Sequence, residues 1–510
     1  MHTQKISHRI IRSTVFSILG RLWGILVALF LTPYIIKHIG VERYGVWALA
    51  GVLTGYFGLL DLGIGYAFSK YIAEFYAKKD YDQINTIVNT GFVFYSIFAS
   101  VIIIVAFLKI DFLVGIFKSP AYLHQEIAFV FLVAVVIFGF FNMFSAFFAV
   151  QAGLQRMDIT NKIVMVASIP MVAGTVFFLK NGYGLPGLMV NNAMVFLFSS
   201  VLNFISVFRL LPQLKFNLFL FSLNTFKKLF GFGFKIQVSR FAGLFHFQMD
   251  KFLLAYFLDV GFVAFYSVAS QTASKLIELP MMFVSALQPA ASELDAKMDR
   301  DRLIELYFRS MKYVILSALP ICLVTVLLAR PFIILWLGKG YGYSVPTLQL
   351  LISIYFINLL TGPGFCILNG IGKPEYGMKS STLAALLNVI LSVILVIKIG
   401  YFGVVYGTVS AMLIAAIYFI FMFHRASKIP FWDFAAKIFL KPVLAGGLSV
   451  LILSIFMNDK LLSNWIGLLA FGAIYLVLFV GLIWLMRYID AYDRLLINRY
   501  AQLKIFKSGG

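Results

Sequence analysis

Charged residues are scarce in this chain. Asp, Glu, Lys and Arg together make up only 12% of its 510 residues, whereas 61% are hydrophobic. A soluble globular domain carries roughly 25% charged residues. With so few charges, a water-soluble fold would lack the side chains that it needs to cover its surface. The deficit therefore excludes an ordinary soluble protein and indicates that lipid is the solvent.

Cysteine is rarer still, and the motifs of common catalytic sites are missing. The two cysteines, Cys322 and Cys366, both fall in apolar segments, which predicts neither a disulfide framework nor a metal site. The sequence has no Walker-type phosphate loop, no histidine pair at metal-ligand spacing and no nucleophile elbow. We therefore predict that the protein is not an enzyme, holds no metal and uses no cofactor.

Long apolar runs are what the sequence does contain. Crossing a hydrocarbon core of about 30 Å takes roughly 20 apolar residues in a helix. About fourteen stretches of this kind are present, which predicts an all-α integral membrane protein with about fourteen transmembrane helices. The predicted spans are 13–36, 44–68, 88–108, 127–152, 162–180, 186–209, 229–257, 262–291, 311–329, 346–370, 380–399, 402–424, 436–457 and 462–486.

The positive charge is confined to particular loops. The formal net charge is +21, and the lysines and arginines concentrate in alternate loops, for example at 70–79, 297–312 and 425–441. By the positive-inside rule these loops are cytoplasmic, and so are both termini. This placement predicts a multi-pass membrane protein and argues against nucleic acid as a partner.

The sequence repeats itself. The segment "AEFYAKKDYDQI" (73–84) matches "SELDAKMDRDRL" (292–303), Gly153 pairs with Gly370, and further matches follow at nearly the same offset. We predict two six-helix bundles related by a pseudo-two-fold axis along the membrane normal, plus two extra C-terminal helices. The predicted domains are the N-terminal bundle 1–209, a cytoplasmic interfacial linker 210–228, the C-terminal bundle 229–428, and helices 13 and 14 with a cytoplasmic tail at 429–510.

Three cations fall well inside predicted helices, where an ionisable residue is costly and needs a reason. They are Arg21 in helix 1, Arg240 in helix 7 and Lys275 in helix 8. If they converge on one water-filled cavity, they favour an anionic ligand such as a phosphate or diphosphate headgroup. The alternative for each residue is a side chain that extends to the interface, or a local salt bridge.

Acids also occur in or near the predicted helices. Asp61 lies in helix 2, Asp250 and Lys251 lie near the outer end of helix 7, and Glu278 lies one turn after Lys275 on the same helical face. These residues are candidates for a proton or cation site that couples transport to an ion gradient. Each acid could equally balance the charge of a neighbouring base.

Several of these segments resemble the polysaccharide-transport branch of the multidrug/oligosaccharidyl-lipid/polysaccharide exporter superfamily. The resemblance rests on "TPYIIKHIGVERYGVWALA" (32–50), "LLDLGIGYAFSKYIAE" (59–74) and "CILNGIGKPEYGMKSSTLAALLNVILSVILVIKIGYFGVVYGT" (366–408). It implies two bundles that open alternately to each side and a central cavity lined by helices 1, 2, 7 and 8. Some related flippases carry a basic residue in helix 11, but here 380–397 has no charge.

The resemblance also implies a function. It is that of a flippase for undecaprenyl-diphosphate-linked oligosaccharide, an O-antigen or capsular/exopolysaccharide repeat unit. The implied partners are this lipid-linked sugar, membrane lipid, protons or sodium, a polysaccharide polymerase and a chain-length regulator. The alternatives within the superfamily are a multidrug/cation antiporter and a lipid II flippase. A membrane polysaccharide polymerase or glycosyltransferase is the alternative from another class.

Overall fold

The computed structural model describes residues 2–57, 64–154, 156–285, 287–458, 460–493 and 495. Only the backbone is described at 2–19, 21–22, 54–57, 64–66, 232, 234–248, 279, 282, 285, 289 and 433. Within these residues the regular structure is helical throughout, and no strand is present. The predicted all-α class is thereby confirmed.

The first seven helices correspond to the predicted spans 1 to 6. They are α1 (His2–Phe57), α2 (Ile64–Ala77), α3 (Tyr81–Leu108), α4 (Ile110–Gly115), α5 (His124–Gly153), α6 (Met157–Lys180) and α7 (Gly184–Leu210). Helix α1 contains the first span and the start of the second. Gly40 separates them with φ 83 and ψ 171, a conformation that a residue without a Cβ adopts easily.

The remaining helices correspond to spans 7 to 14. They are α8 (Leu223–Phe257), α9 (Val260–Ser285), α10 (Leu287–Ala296), α11 (Arg300–Leu337), α12 (Ser344–Leu359), α13 (Gly362–Gly370), α14 (Glu375–Ile399), α15 (Tyr401–Ser427), α16 (Phe431–Ile438), α17 (Leu440–Phe456) and α18 (Trp465–Leu485). The predicted span 262–291 is divided between α9 and α10, and 346–370 between α12 and α13.

The helices suit a hydrocarbon solvent. In the described part of the chain, ten helical segments are long and apolar enough to cross a membrane. Helix α17 is apolar but has only 17 residues, and it forms a contacting pair with α18. In the described residues, each predicted span coincides with a helix or a helix pair, which agrees with about fourteen crossings.

The chain divides into two compact units. Unit 1 comprises 1–267 and 385–408, and unit 2 comprises 268–384 and 409–510. The division therefore runs through α9, α14 and α15 and does not follow the predicted domain boundaries. Those boundaries concern the sequence repeat, and they stay a prediction.

The repeated motifs adopt the same local structure in both units. Asp80 precedes α3 and Asp299 precedes α11, and each carboxylate accepts a hydrogen bond from the backbone amide three residues ahead. The residue before each cap has a positive φ, 58° at Lys79 and 54° at Met298. These two helix starts are therefore built in the same way.

An ion pair precedes each of these caps. Lys78 Nζ lies 2.6 Å from a Glu74 carboxylate oxygen, and Lys297 Nζ lies 2.5 Å from Glu293. The hydrogen bond from each lysine lowers the pKa of its glutamate below the ordinary value. The two copies of the repeated motif therefore share side-chain contacts as well as sequence.

The segment that joins α7 to α8 is attached to α3 by buried amides. The side-chain oxygens of Asn85 and Asn89 accept from the backbone N–H groups of Lys215 and Asn217, at 2.7 and 2.9 Å. Asn89 Nδ2 also donates to the Lys215 carbonyl at 2.7 Å. Because this linker has no sheet or helix to satisfy most of its backbone, the asparagines fix its path.

Candidate functional site

A buried carboxylate in unit 1 is held by side chains from three other helices. Asp250 of α8 is 1% exposed. It accepts a hydrogen bond from the Tyr266 hydroxyl of α9, from Thr408 Oγ1 of α15 at 2.7 Å, and from Asn388 Nδ2 of α14 at 3.3 Å. We call these four residues the Asp250 cluster.

Two glycines allow α14 and α15 to approach closely enough to form this cluster. A Cβ added at Gly407 would lie 2.3 Å from Ser392 Oγ and 2.6 Å from the Ser392 backbone. A Cβ at Gly403 would lie 2.2 Å from the backbone of Leu395. The two glycines lie about one helical turn apart, so one face of α15 packs directly on the α14 backbone. This packing brings Thr408 within reach of Asp250.

Asn388 leaves an acceptor unused beside the carboxylate. The side chain is fully buried, and its Nδ2 donates to Thr408 Oγ1 at 2.8 Å as well as to Asp250. Its Oδ1 has no hydrogen-bond partner among the described residues. A buried acceptor of this kind is costly unless a ligand or proton donor completes it.

Among the side chains that the structure describes, none forms an ion pair with Asp250. Within the part of the chain that the structure describes, no lysine or arginine nitrogen lies within 4.0 Å of this carboxylate, and the neighbouring Lys251 does not pair with it. A buried unpaired carboxylate is expensive in an apolar interior. The oxygens of Asp250, Asn388 and Thr408 can hold either a proton or a small hard cation, and each would relieve that cost.

The predicted cation Lys275 forms a local ion pair on α9. Its Nζ lies 2.7 Å from Glu278 Oε1, one helical turn ahead, and the two side chains are 46% and 32% exposed. Local pairing is the alternative left open for this residue by the sequence. Headgroup binding by Lys275 stays a prediction, and it would require this exposed pair to open.

Three further predicted site residues fall where side chains are not described. Arg21 lies in α1 and Arg240 in α8, both helical as predicted, but the structure describes only their backbones. Asp61 lies outside the described residues. The convergence of Arg21, Arg240 and Lys275 on one cavity therefore stays a prediction.

Sequence reasoning found Asp250 but missed its partners. Tyr266, Asn388 and Thr408 are neutral, so the cost of an ionisable residue within a membrane does not single them out. One signal was available, because Asn388 interrupts the apolar run "LAALLNVILSVILVI" of α14. Burying an amide in such a run costs free energy unless the amide has a hydrogen-bond partner, so Asn388 could have been expected to have polar neighbours.

A second feature of unit 1 is a close contact on the predicted outer side. A Cβ at Gly45 of α1 would lie 1.9 Å from the Val260 carbonyl oxygen. The Lys118 backbone N–H donates to the Ala255 carbonyl at 2.9 Å, and its Nζ donates to the Phe257 carbonyl at 2.7 Å. We call these five residues the outer contact. It joins α1 and the segment after α4 to the end of α8 and the start of α9.

The sequence matches two models of known protein families. Residues 10–295 match the family model described as polysaccharide biosynthesis protein, and residues 237–394 match the MatE model. A putative O-antigen transporter of Shigella flexneri is 22% identical over 368 residues, which cover 72% of this chain and 86% of that protein.

Two solved structures share the fold. The lipid II flippase MurJ in an inward closed conformation has a TM-score of 0.70 at 18% identity, over 93% of this chain and 99% of that one. A multidrug resistance MATE family transporter in an inward-facing conformation has a TM-score of 0.65 at 16% identity, over 82% and 94%. Identities this low show the fold alone. The first family model, however, covers more than half of the sequence, and the chain therefore belongs to the polysaccharide biosynthesis protein family.

Proposed function

We propose that this protein is a flippase that moves an undecaprenyl-diphosphate-linked oligosaccharide from the cytoplasmic to the outer leaflet. The cargo is an O-antigen or a capsular/exopolysaccharide repeat unit. Membership of the polysaccharide biosynthesis family carries this proposal. The similarity to a putative O-antigen transporter and the fold shared with a lipid II flippase support it.

The polar, anionic headgroup of this cargo needs the kind of cations that the sequence predicts. Each sugar hydroxyl costs a few kcal/mol to strip of water without a replacement partner, so the headgroup needs a hydrated path. A diphosphate needs counter-charges along that path, which Arg21, Arg240 and Lys275 would supply. The lipid tail is apolar and remains in the bilayer throughout.

The Asp250 cluster is the proposed site of coupling to an ion gradient. A proton or sodium ion bound there would neutralise Asp250 and satisfy Asn388 Oδ1. Phe257 and Val260 of the outer contact lie on α8 and α9, the helices that also carry Asp250 and Tyr266. Occupancy of the cluster would therefore favour one packing of these helices and shift the equilibrium between closed and open outer contacts.

The proposed setting is a bacterial cytoplasmic membrane with both termini in the cytoplasm. The support is the positive charge of alternate loops. In this orientation the outer contact must separate when cargo leaves towards the outer leaflet. A polymerase and a chain-length regulator would consume the product there. Their association with this chain is part of the proposal.

The test is complementation of a strain that lacks this protein. Wild-type protein should restore surface polysaccharide, and Arg21→Ala and Arg240→Ala should each abolish it while the membrane still contains normal amounts of protein. Arg43→Ala is a control, since Arg43 already forms a bidentate pair with Glu126 at 2.7 Å. Normal polysaccharide in both mutants would exclude the cationic cavity.

A multidrug/cation antiporter is the second candidate, favoured by the MatE match and by the MATE fold. Overexpression would then raise drug resistance without affecting surface polysaccharide. A lipid II flippase would instead be essential, and its depletion would stop cell-wall synthesis. A polymerase or glycosyltransferase would extend lipid-linked units in purified form, whereas a flippase leaves their length unchanged.

A further inference from the structure

A basic pocket lies in unit 2. It has a volume of about 480 Å³ and lies where α11 meets α16, the start of α17 and the segment after α18. Five of its lining residues are basic and two are acidic. The basic residues are Arg309, Lys312, Lys437, Lys441 and Arg487. Helices α17 and α18 correspond to predicted helices 13 and 14, which lie outside the transporter repeat.

Two of the five cations are already neutralised. Arg309 Nη2 lies 2.6 Å from Glu305 Oε1. Lys312 Nζ lies 3.2 Å from Asp490 and also binds the buried carboxylate of Asp493. These contacts attach the segment after α18 to α11, and they occupy both acidic residues of the pocket lining.

Among the described side chains, the other three cations form no ion pair. Lys437, Lys441 and Arg487 are exposed, and among the described residues none of them has a carboxylate within 4.0 Å. Lys441 Nζ donates to the Met486 carbonyl at 2.9 Å, at the end of α18. Carbonyls at a helix C-terminus repel anions, and the ammonium offsets that repulsion. Two of its N–H groups remain free to bind an anion.

The backbone at Arg487 favours a different residue. Its φ is 49°, in the left-handed region, and the Tyr488 N–H returns to the Ile483 carbonyl at 3.2 Å to close the helix. Glycine is the usual residue at this position of a helix end, since other residues are strained there. The arginine backbone is therefore strained at this helix end, and its side chain lines the basic pocket.

The surface beside the pocket is apolar. Trp484 and Leu485, at the end of α18, are 66% and 70% exposed, and Leu440, next to Lys441, is 56% exposed. On α16, Trp432 is 81% exposed. Exposed tryptophan is typical of the boundary between headgroups and hydrocarbon. The available cations therefore lie at the end of a membrane span, next to apolar side chains that acyl chains can cover.

We infer that this pocket binds the phosphate of an anionic glycerophospholipid of the cytoplasmic leaflet. Basic pockets between transmembrane helices on the cytoplasmic side suit such headgroups. The phosphate contacts Lys437, Lys441 and Arg487, and the acyl chains lie along the exposed ends of α17 and α18. A free phosphate ion would satisfy the cations but would leave this apolar surface uncovered, which is why the lipid is the occupant.

The experiment compares lipid binding by the full-length chain and two double variants in native mass spectrometry. The pocket variant is Arg487→Gly with Lys437→Gln; glycine suits the backbone at 487, so folding is preserved. The control variant is Lys79→Gly with Lys373→Gln. It removes the same charge from exposed predicted cytoplasmic loops and also replaces a residue of positive φ, 58°. The probes are phosphatidylglycerol, phosphatidylcholine, inorganic phosphate and undecaprenyl diphosphate.

We expect wild type and control to retain phosphatidylglycerol in preference to phosphatidylcholine, and the pocket variant to bind it roughly tenfold more weakly. Equal retention by the pocket variant and the control would overturn the inference. So would displacement of the lipid by equimolar inorganic phosphate, or a defect confined to undecaprenyl diphosphate, which would make the pocket a cargo site. The readout is independent of transport, so it does not depend on the proposed flippase function.

Discussion

Asp250 Oδ1 accepts a hydrogen bond from Thr408 Oγ1 at 2.7 Å, although the two residues lie 158 positions apart in the chain. The same carboxylate is bound by Tyr266 and Asn388, so one acid joins four helices. A change in the charge of Asp250 therefore changes the strength of hydrogen bonds that link all four helices. This is the physical basis for the proposal that the Asp250 cluster couples transport to an ion gradient.

The first prediction concerns the charge of this cluster. Asp250→Asn keeps the shape of the side chain but removes the charge that a proton or sodium ion would neutralise. We expect transport to lose its dependence on the ion gradient and to fall about tenfold or more, the size of a typical coupling between sites. The measurement is gradient-driven transport in proteoliposomes.

Asp259→Asn is the matched control for this variant. Asp259 lies between α8 and α9, and its carboxylate accepts from the Gly261 N–H at 2.7 Å. This acid is outside the cluster, so its variant should respond to the gradient as the wild type does. An unchanged gradient response in Asp250→Asn would remove the cluster from the coupling mechanism.

The second prediction concerns the approach of α15 to α14. Gly407→Ala places a methyl group 2.3 Å from Ser392 Oγ and 2.6 Å from backbone atoms, so the helices must separate. Overpacking of this kind costs about 1–3 kcal/mol. Thermal unfolding in detergent should show the loss. Gly447→Ala on α17 has nothing within 4 Å of the new methyl group and should be neutral or stabilising. Equal melting temperatures for the two variants would contradict the close packing.

The third prediction concerns the linker between α7 and α8. Asn89 is fully buried and forms hydrogen bonds with the backbone of both Lys215 and Asn217. Asn89→Ala removes the partner of the Lys215 carbonyl and of the Asn217 N–H, and each lost hydrogen bond costs about 0.5–1.5 kcal/mol. The linker should then become more susceptible to proteolysis at 212–222. Thr86→Ala, on the exposed side of the same helix, is the control. A linker that is cut equally slowly in both variants would show that Asn89 does not hold it.

The fourth prediction concerns the pH at which the segment after α18 detaches from α11. Burial raises the pKa of Asp493, but hydrogen bonds from Lys312 and Tyr313 outweigh burial and hold the pKa below its ordinary value. The stabilisation is therefore complete above the ordinary carboxyl pKa of about 3.9, and it is lost as the pH falls through the lowered value.

Hydrogen exchange at 486–493 measures this detachment as the pH is lowered. An unperturbed aspartate has a pKa of about 3.9. In the wild type, protection of these amides should persist below that pH. In Asp493→Asn it should already be low at neutral pH. If both proteins lose protection at the same acidic pH, Asp493 is not the group that holds the segment.

The sequence predicts the fold well because apolar length is a strong local signal. Every predicted span coincides with a helix or a helix pair, since lipid requires each backbone group to be satisfied within its own segment. Spacing along one helix is equally readable. Lys275 and Glu278 lie on one face by sequence, and the structure has them 2.7 Å apart.

The sites were harder to predict because tertiary packing assembles them. Asn388 and Thr408 carry no charge, and only the glycine-mediated contact of α14 with α15 brings them to Asp250. The basic pocket was missed for a different reason. Lys437, Lys441 and Arg487 come from separate elements, and in the sequence they count only as positive-inside residues.

The most direct test of the proposed function is translocation by purified protein in liposomes. A fluorescent undecaprenyl-diphosphate oligosaccharide is placed in one leaflet, and its arrival in the other is followed by a quencher that cannot cross. We predict rapid translocation with wild type and background rates with the Arg21→Ala/Arg240→Ala double variant. Background rates with correctly folded wild type under either ion gradient would contradict the account.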